Sequence, residues 1–169
     1  MSGVLTLTIS FHMKTKDPRD LAHVCLLLLV PGSLAWLLGQ PLIFPSLGPS
    51  ALALVLDDKG NRARQVIGGH FFGVLSGLIA YHVLARGLSL AALTPALSAD
   101  GLRIVASGVV SVGLTALGML ATRTTHAPAC ATTLIVSLGV LPSVPDGTLI
   151  MAAVVGMFLT HRLLGLMCK

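Results

Sequence analysis

Apolar residues fill six stretches of this chain, and short polar or charged segments separate one stretch from the next. Four stretches are about 20 residues long, which is the length that an α-helix needs to cross the hydrocarbon core of a bilayer. The other two are shorter and open with turn-like sequences that contain proline. The pattern predicts an all-α membrane protein. Its predicted membrane segments are 21–40, 41–56, 65–85, 102–122, 126–141 and 148–166.

The composition supports a membrane protein and excludes an ordinary water-soluble domain. Charged residues make up 10% of the chain and apolar residues 54%, with a mean hydropathy of +0.92. A soluble domain carries about 25% charged residues. The formal net charge is +5, but the cations are scattered between hydrophobic stretches rather than gathered on one face. The lipid bilayer is therefore the expected partner, and nucleic acid is not.

The positions of Lys and Arg indicate how the segments are oriented, because cytoplasmic loops carry an excess of these residues. If all six segments cross and the N-terminus is cytoplasmic, nine cations lie inside and two outside. If the two short segments enter and return on the same side, the count falls to seven against four. We therefore expect six crossings in a cytoplasmic (inner) membrane, with both termini in the cytoplasm. Residues 1–20 are expected to form a disordered tail, and 21–169 a single transmembrane domain.

Small residues recur four positions apart in three of the long segments. Helices in lipid lack a hydrophobic drive to associate, so such ridges bring backbones close together. We expect all three ridges to pack against other helices. They are Gly69, Gly73 and Gly77; Ser107, Ser111 and Thr115; and Ala152, Gly156 and Thr160.

The two halves of the chain resemble each other weakly. Residues 50–52 match residues 132–134 at a separation of 82, and both triplets lie within a short segment. Each half contains a long segment, a short one and another long one. Because three crossings invert the second half, this order predicts an inverted-topology repeat, an arrangement found in many secondary transporters.

The two short segments predict half-helices that begin inside the membrane. A helix of 16 residues spans about 24 Å, less than the hydrocarbon core of about 30 Å. An extended stretch before each half-helix would complete the distance, and such backbone is tolerated where it is buried in protein or lines a wet cavity. Ser46 is the predicted N-cap of the first half-helix, with Pro49 in its first turn. Pro128 is the predicted first residue of the second.

Two facing helix N-termini would form a site for a small anion, since their first N–H groups are unpaired and carry a partial positive charge of about half a unit. Hydroxyls could add donors, and Gly48 would let a ligand approach the backbone. The alternative for each hydroxyl is a bond to the carbonyl one turn earlier in its own helix. The predicted substrate-binding residues are Ser46, Gly48, Ser50, His126, Pro128, Ala129, Thr132 and Thr133.

His70 lies within the third segment and is a candidate for proton coupling. An ionisable residue at membrane depth usually faces the bundle interior or a cavity, and histidine titrates near neutrality. The alternative is a neutral histidine bonded to a backbone carbonyl. The sequence contains no H-E-x-x-H spacing and no G-x-x-x-x-G-K-[ST] loop, so no metal, no other cofactor and no use of ATP are expected. A proton or the gradient of the anion itself would drive transport.

Three sequence blocks carry a resemblance to a known family. Residues 44–51, 65–70 and 125–132 resemble, in order, the G-x-S-A segment, the N-V-I-G-G-H-like run and the H-P-P-A-G-A-T block of the HPP family of membrane proteins. Two positions depart from the last block: Ala127 stands in place of its first proline, and Cys130 in place of glycine. The resemblance implies a transporter with nitrite as the leading substrate. It also implies the four membrane helices by which the family is usually described.

Two functions remain open at this point. The first is a secondary transporter or channel for a small inorganic anion such as nitrite. The second is a non-transporting membrane scaffold or sensor subunit, in which the irregular segments only kink and pack helices. An enzyme is not expected, because the sequence offers no convergent nucleophile and base. A homo-oligomer is expected, because 169 residues are few to enclose a pathway.

Overall fold

The computed structural model describes residues 18–56, 62–92 and 94–167, and within this part of the chain it is helical with no strand. A 3₁₀ turn at Pro41–Ile43 precedes α2, and a π-helical turn at Tyr81–Ala85 extends α3. The predicted tail falls largely on residues 1–17, which lie outside the described residues. The α-helices are α1 (Pro18–Leu37), α2 (Phe44–Leu56), α3 (Ala63–Ala80), α4 (Ala99–Thr122), α5 (Ala129–Ser137) and α6 (Val144–Met167).

Four of these helices are long and apolar enough to cross a membrane, namely α1, α3 with its π turn, α4 and α6. The two short helices, α2 with 13 residues and α5 with 9, coincide with the two short segments of the sequence. The six predicted segments are therefore confirmed as six helices. The four long helices match the four membrane helices that the family resemblance implies. The two short helices account for the other two of the six predicted segments.

The approach to α2 is helical, so the predicted extended stretch before it is wrong. Gln40 precedes the 3₁₀ turn, and the chain then continues into α2 without interruption. Ser46 is the third residue of α2 rather than its N-cap. Proline explains the difference, because Pro41 stands in the first turn of the helical stretch, where a missing N–H costs nothing and its fixed φ favours a helix.

The approach to α5 is irregular, as predicted. Arg123 ends α4 in a left-handed conformation, with a φ of 56°, and residues 124–128 reach α5 without regular structure. Pro128 is the N-cap of α5 rather than its first helical residue, so the helix begins one residue later than predicted, at Ala129. A shift of this size lies within the usual spread of helix boundaries.

The glycine ridge of α3 packs on α5. A Cβ at Gly73 would lie 2.9 Å from the Ala129 carbonyl oxygen, and one at Gly77 would lie 2.8 Å from Val136 Cβ. A Cβ at Gly69 would lie 2.8 Å from His126 Cβ. The absence of side chains along this ridge therefore lets the backbones of α3 and α5 approach closely. The two helices run in the same direction, and α5 begins beside Gly69, about 10 Å along α3 from its start.

The hydroxyl ridge of α4 also packs on α5, whereas the ridge predicted on α6 is partly misplaced. Ser107, Ser111 and Thr115 are fully buried, and the Ser107 hydroxyl donates to the Ser137 carbonyl oxygen at 2.8 Å. On α6, a Cβ at Gly156 would meet Val30 of α1, but Ala152 is exposed. The buried side of α6 is instead apolar and is formed by Ile150, Ala153, Val154 and Met157.

We expect Gly73→Ala to destabilise the protein by about 1–3 kcal/mol, the usual cost of overpacking. The added methyl would press on a backbone carbonyl, which cannot rotate away. The measurement is thermal unfolding of the purified protein in detergent. Gly113→Ala on α4 is the matched control, since a Cβ there meets nothing within 4 Å. Equal unfolding temperatures for the two variants would contradict the close approach of α3 and α5.

Candidate functional site

The site lies where α3 faces both short helices and is centred on the imidazole of His70. This side chain is fully buried, with 0% of its surface exposed. Its neighbour Gly69 has no side chain, so α5 can approach on that side. An imidazole withdrawn from lipid and water needs a hydrogen-bond partner for each of its nitrogens.

The two short helices provide those partners. His70 Nε2 lies 2.8 Å from Ser50 Oγ of α2, and His70 Nδ1 lies 2.8 Å from Thr132 Oγ1 of α5. Both hydroxyls are fully buried. A single ring from a long helix therefore joins the two short helices at the centre of the bundle.

A second imidazole reaches the same serine. His126 lies just before α5 and is 5% exposed. Its Nε2 lies 3.3 Å from Ser50 Oγ, and its ring centroid lies 5.4 Å from that of His70, with the planes tilted by 54°. Ser50 thus sits between two imidazoles. The continuous chain of hydrogen-bonding groups is His126, Ser50, His70 and Thr132.

The residues that reach His70 are the pair that the weak internal repeat had aligned. Ser50 and Thr132 stand at equivalent positions, 82 residues apart, and they contact opposite nitrogens of one ring. The two matched residues therefore meet at one side chain.

Two other predicted hydroxyls bond within their own helices. Ser46 donates to the Ile43 carbonyl oxygen at 2.7 Å. Thr133 Oγ1 lies 3.2 Å from the Ala129 carbonyl oxygen and 2.9 Å from Thr115 Oγ1 of α4. These two hydroxyls therefore bond a carbonyl one turn earlier, which was the alternative to ligand binding. Neither of them bonds to His70.

The remaining predicted residues take structural positions around the centre. Pro128 caps α5, and Ala129 is fully buried where its carbonyl meets Gly73. A Cβ at Gly48 would meet nothing within 4 Å, so the space on that side of the residue is open in the described part of the chain. Gly48 is half-buried.

The N–H groups at the starts of the short helices are already bonded, which corrects the expectation that they are free. The N–H groups of residues 129–131 donate to the carbonyl oxygens of residues 126–128, at 3.0 to 3.1 Å. Before α2, the N–H groups of Ile43 and Phe44 donate to Gln40 and Pro41. Tight 3₁₀-type turns use these donors. The polar groups that α2 and α5 direct towards a common point are therefore their hydroxyls.

Sequence reasoning missed the pairing of two terminal histidines. His23 of α1 and His161 of α6 stack with ring centroids 5.1 Å apart and planes within 16°. The two residues lie near opposite ends of the chain, so no local sequence pattern could have predicted their contact. Within the described residues, the structure contains no group of three or more His, Cys, Asp or Glu side chains able to hold a metal ion.

The comparison with protein families identifies the class of this chain. The profile of the family described as "HPP, transmembrane region" matches residues 19–169. The chain therefore belongs to the HPP family and is an integral membrane protein. No curated protein and no solved structure gives a significant match to it.

We expect Ser50→Ala to lower the free energy of unfolding by about 1–3 kcal/mol, because it leaves a buried ring nitrogen of His70 with its serine partner removed. Ser46→Ala is the matched control: Ser46 is equally buried on the same helix, but its hydroxyl bonds a carbonyl of its own chain segment. Thermal unfolding of both variants in detergent is the measurement. A larger loss for Ser46→Ala than for Ser50→Ala would contradict the role of the His70 centre.

Proposed function

We propose that this protein is a secondary transporter or channel for a small inorganic anion, with nitrite as the leading substrate, and that the anion binds where Ser50 and Thr132 meet at His70. Membership of a membrane family with several membrane-length helices is compatible with this function. The observation that carries the proposal is the convergence of two hydroxyls, from two short helices, on one buried imidazole.

The chemistry of these groups suits a small oxyanion. Hydroxyls and imidazole N–H groups donate hydrogen bonds, and bonds to a charged partner contribute about 1.5–3 kcal/mol each. Helix N-termini were the first candidates for this role, but their N–H groups are engaged in turns. The hydroxyls therefore replace them as the proposed donors, with His126 as a third polar group at the same point.

The buried polar groups and the irregular backbone around His70 also support a transport function. Ser50 and Thr132 of the two short helices are fully buried among membrane-length helices. Unpaired polar groups are costly in such surroundings, and non-helical backbone is tolerated there only when protein surrounds it. Residues 124–128 provide such backbone, beside Gly68 and Gly69 of α3. Polar groups kept at this cost in a membrane protein commonly mark the path of a substrate.

The rest of the proposal follows from the sequence. We propose no enzymatic activity, a homo-oligomeric assembly, and a cytoplasmic-membrane location with both termini in the cytoplasm. An internal inverted repeat, in which α2 and α5 are equivalent broken segments, is part of the same proposal. The correspondence of Ser50 and Thr132 around His70 supports it.

A non-transporting scaffold or sensor subunit is the second candidate. It is favoured by the fact that Ser50, His70 and Thr132 already satisfy one another within the protein. In that case the network only ties the short helices to α3, and no anion need enter. Anion flux separates the two functions.

We expect purified protein in liposomes to take up nitrite faster than protein-free liposomes, within a panel of small anions. Thr132→Val keeps the shape of the side chain but removes its hydroxyl, and Ser50→Ala removes the other. We expect each substitution to reduce uptake about tenfold or more, the loss of one hydrogen bond to a charged group.

Ser46→Ala is the control for this assay and should keep the uptake of the unchanged protein, because its hydroxyl bonds Ile43. Absence of uptake for every anion in the panel, with correctly folded protein, would contradict transport and leave the scaffold or sensor function.

A further inference from the structure

The bonding of His70 at both nitrogens limits what its two hydroxyl partners can do. A neutral imidazole has one N–H donor and one bare nitrogen that accepts. With a hydroxyl 2.8 Å from each nitrogen, the hydroxyl at the bare nitrogen must give its hydrogen to the ring. Only the other hydroxyl then keeps its hydrogen for a ligand.

A doubly protonated ring changes this arrangement. An imidazolium donates from both nitrogens, so Ser50 Oγ and Thr132 Oγ1 would both accept from His70. Neither hydroxyl then gives its hydrogen to His70, so the Thr132 hydrogen can point at a ligand, and the Ser50 hydrogen at a ligand or at His126 Nε2, 3.3 Å away. The positive charge of the ring also needs a negative partner at this depth, since an unpaired charge is costly away from water. A monovalent anion meets both requirements.

We propose that this centre binds one proton and one monovalent anion together, with the proton held by His70. The proposal rests on the proposed function and assigns its coupling ion. The proton comes from the water on the side from which the anion arrives, converts the imidazole to an imidazolium, and leaves with the anion on the other side. No covalent bond of the anion forms or breaks. The pair carries no net charge, so transport is electroneutral.

The hydroxyls of Ser50 and Thr132 differ from most other hydroxyls of the described residues in their hydrogen-bond partners. Hydroxyls on membrane helices can satisfy themselves with a carbonyl of their own helix. Ser50 and Thr132 instead lie within hydrogen-bond distance of a residue that can change its number of protons. The hydroxyls that take the local route include those of Ser46, Ser111, Thr115, Thr122, Thr133, Ser137, Thr148 and Thr160.

Few other titratable groups of the described residues lie close to His70. His126 is the one in ring contact with it, across Ser50. Cys130 of α5 is half-buried and lies two residues before Thr132, a spacing that places side chains on different faces of a helix. Among the described residues, several other ionisable groups of α3, α4 and α6 bond or stack with partners outside this centre. These are Arg64 with Thr122, Arg103 with Asp100 and Leu84, Asp146 with Ser143, and His161 with His23.

His70 rather than His126 is assigned as the proton carrier because of its two contacts. It is fully buried and is bonded on both sides by the hydroxyls of the site. His126 reaches one of these hydroxyls, and at the longer distance of 3.3 Å. A proton on His126 would reach Thr132 only through Ser50 and the His70 ring, whereas His70 lies within hydrogen-bond distance of both hydroxyls.

The test is calorimetric titration of the full chain in detergent with sodium nitrite, near pH 7.5, in two buffers of different ionisation heat. The difference between the buffers gives the number of protons taken up for each anion bound. Binding in detergent avoids the leak of nitrous acid through lipid. We expect the unchanged protein to take up about one proton for each nitrite bound. We expect His70→Gln to bind nitrite more weakly but measurably, and to take up about no proton.

His82→Gln is the control variant and should keep an uptake of about one proton. His126→Gln removes a polar group of the site, so we expect weaker nitrite binding but still about one proton for each anion bound. His82 is exposed on the π turn of α3. Loss of the proton in His126→Gln but not in His70→Gln would overturn the assignment to His70. Nitrite binding to the unchanged protein with no proton uptake would overturn the coupling itself.

The unchanged protein gives a further readout should His70→Gln fail to fold. If one proton accompanies each anion, nitrite affinity falls about tenfold for each unit of pH above neutrality, because the imidazolium must form from a neutral ring. An affinity that is constant between pH 7 and 8 overturns the inference. Absence of both nitrite binding and flux overturns the proposed function instead, so the two failures are distinguishable.

Discussion

The structure depends on the need of one buried imidazole for two hydrogen-bond partners. His70 lies in a membrane-length helix with no exposed surface, so neither water nor lipid headgroups can satisfy its ring. Its partners must come from the protein, one on each side. The two helices too short to cross a membrane unaided provide them, and the polar centre of the bundle forms where they meet.

The glycine ridge of α3 makes this meeting possible. Without side chains at Gly69, Gly73 and Gly77, the backbone of α5 lies close enough for Thr132 to reach His70. Because the α5 helix also begins at this level, His126 arrives beside the same centre. The same small residues therefore permit both the close packing and the polar contacts. A substitution at one of them would affect both.

Much of this fold could be predicted from the sequence. Apolar length alone located the four long helices and the two short ones, and the spacing of Gly69, Gly73 and Gly77 indicated a packing face. The faint repeat aligned Ser50 with Thr132. Other features depend on geometry that no local pattern encodes. The 3₁₀-type turns that occupy the first N–H groups, and the bond from the Ser46 hydroxyl to the Ile43 carbonyl, depend on the local path of the backbone. The convergence of two hydroxyls on His70 joins residues 20 and 62 positions apart.

The most direct measurement is nitrogen-15 magnetic resonance of the His70 ring, in the full protein reconstituted in lipid. Each ring nitrogen gives its own resonance, and that resonance responds to the loss of a hydrogen-bond partner. We expect Ser50→Ala to move the Nε2 resonance more than the Nδ1 resonance, and Thr132→Val to do the reverse. Resonances that stay unchanged in both variants would show that the two short helices do not meet at this histidine.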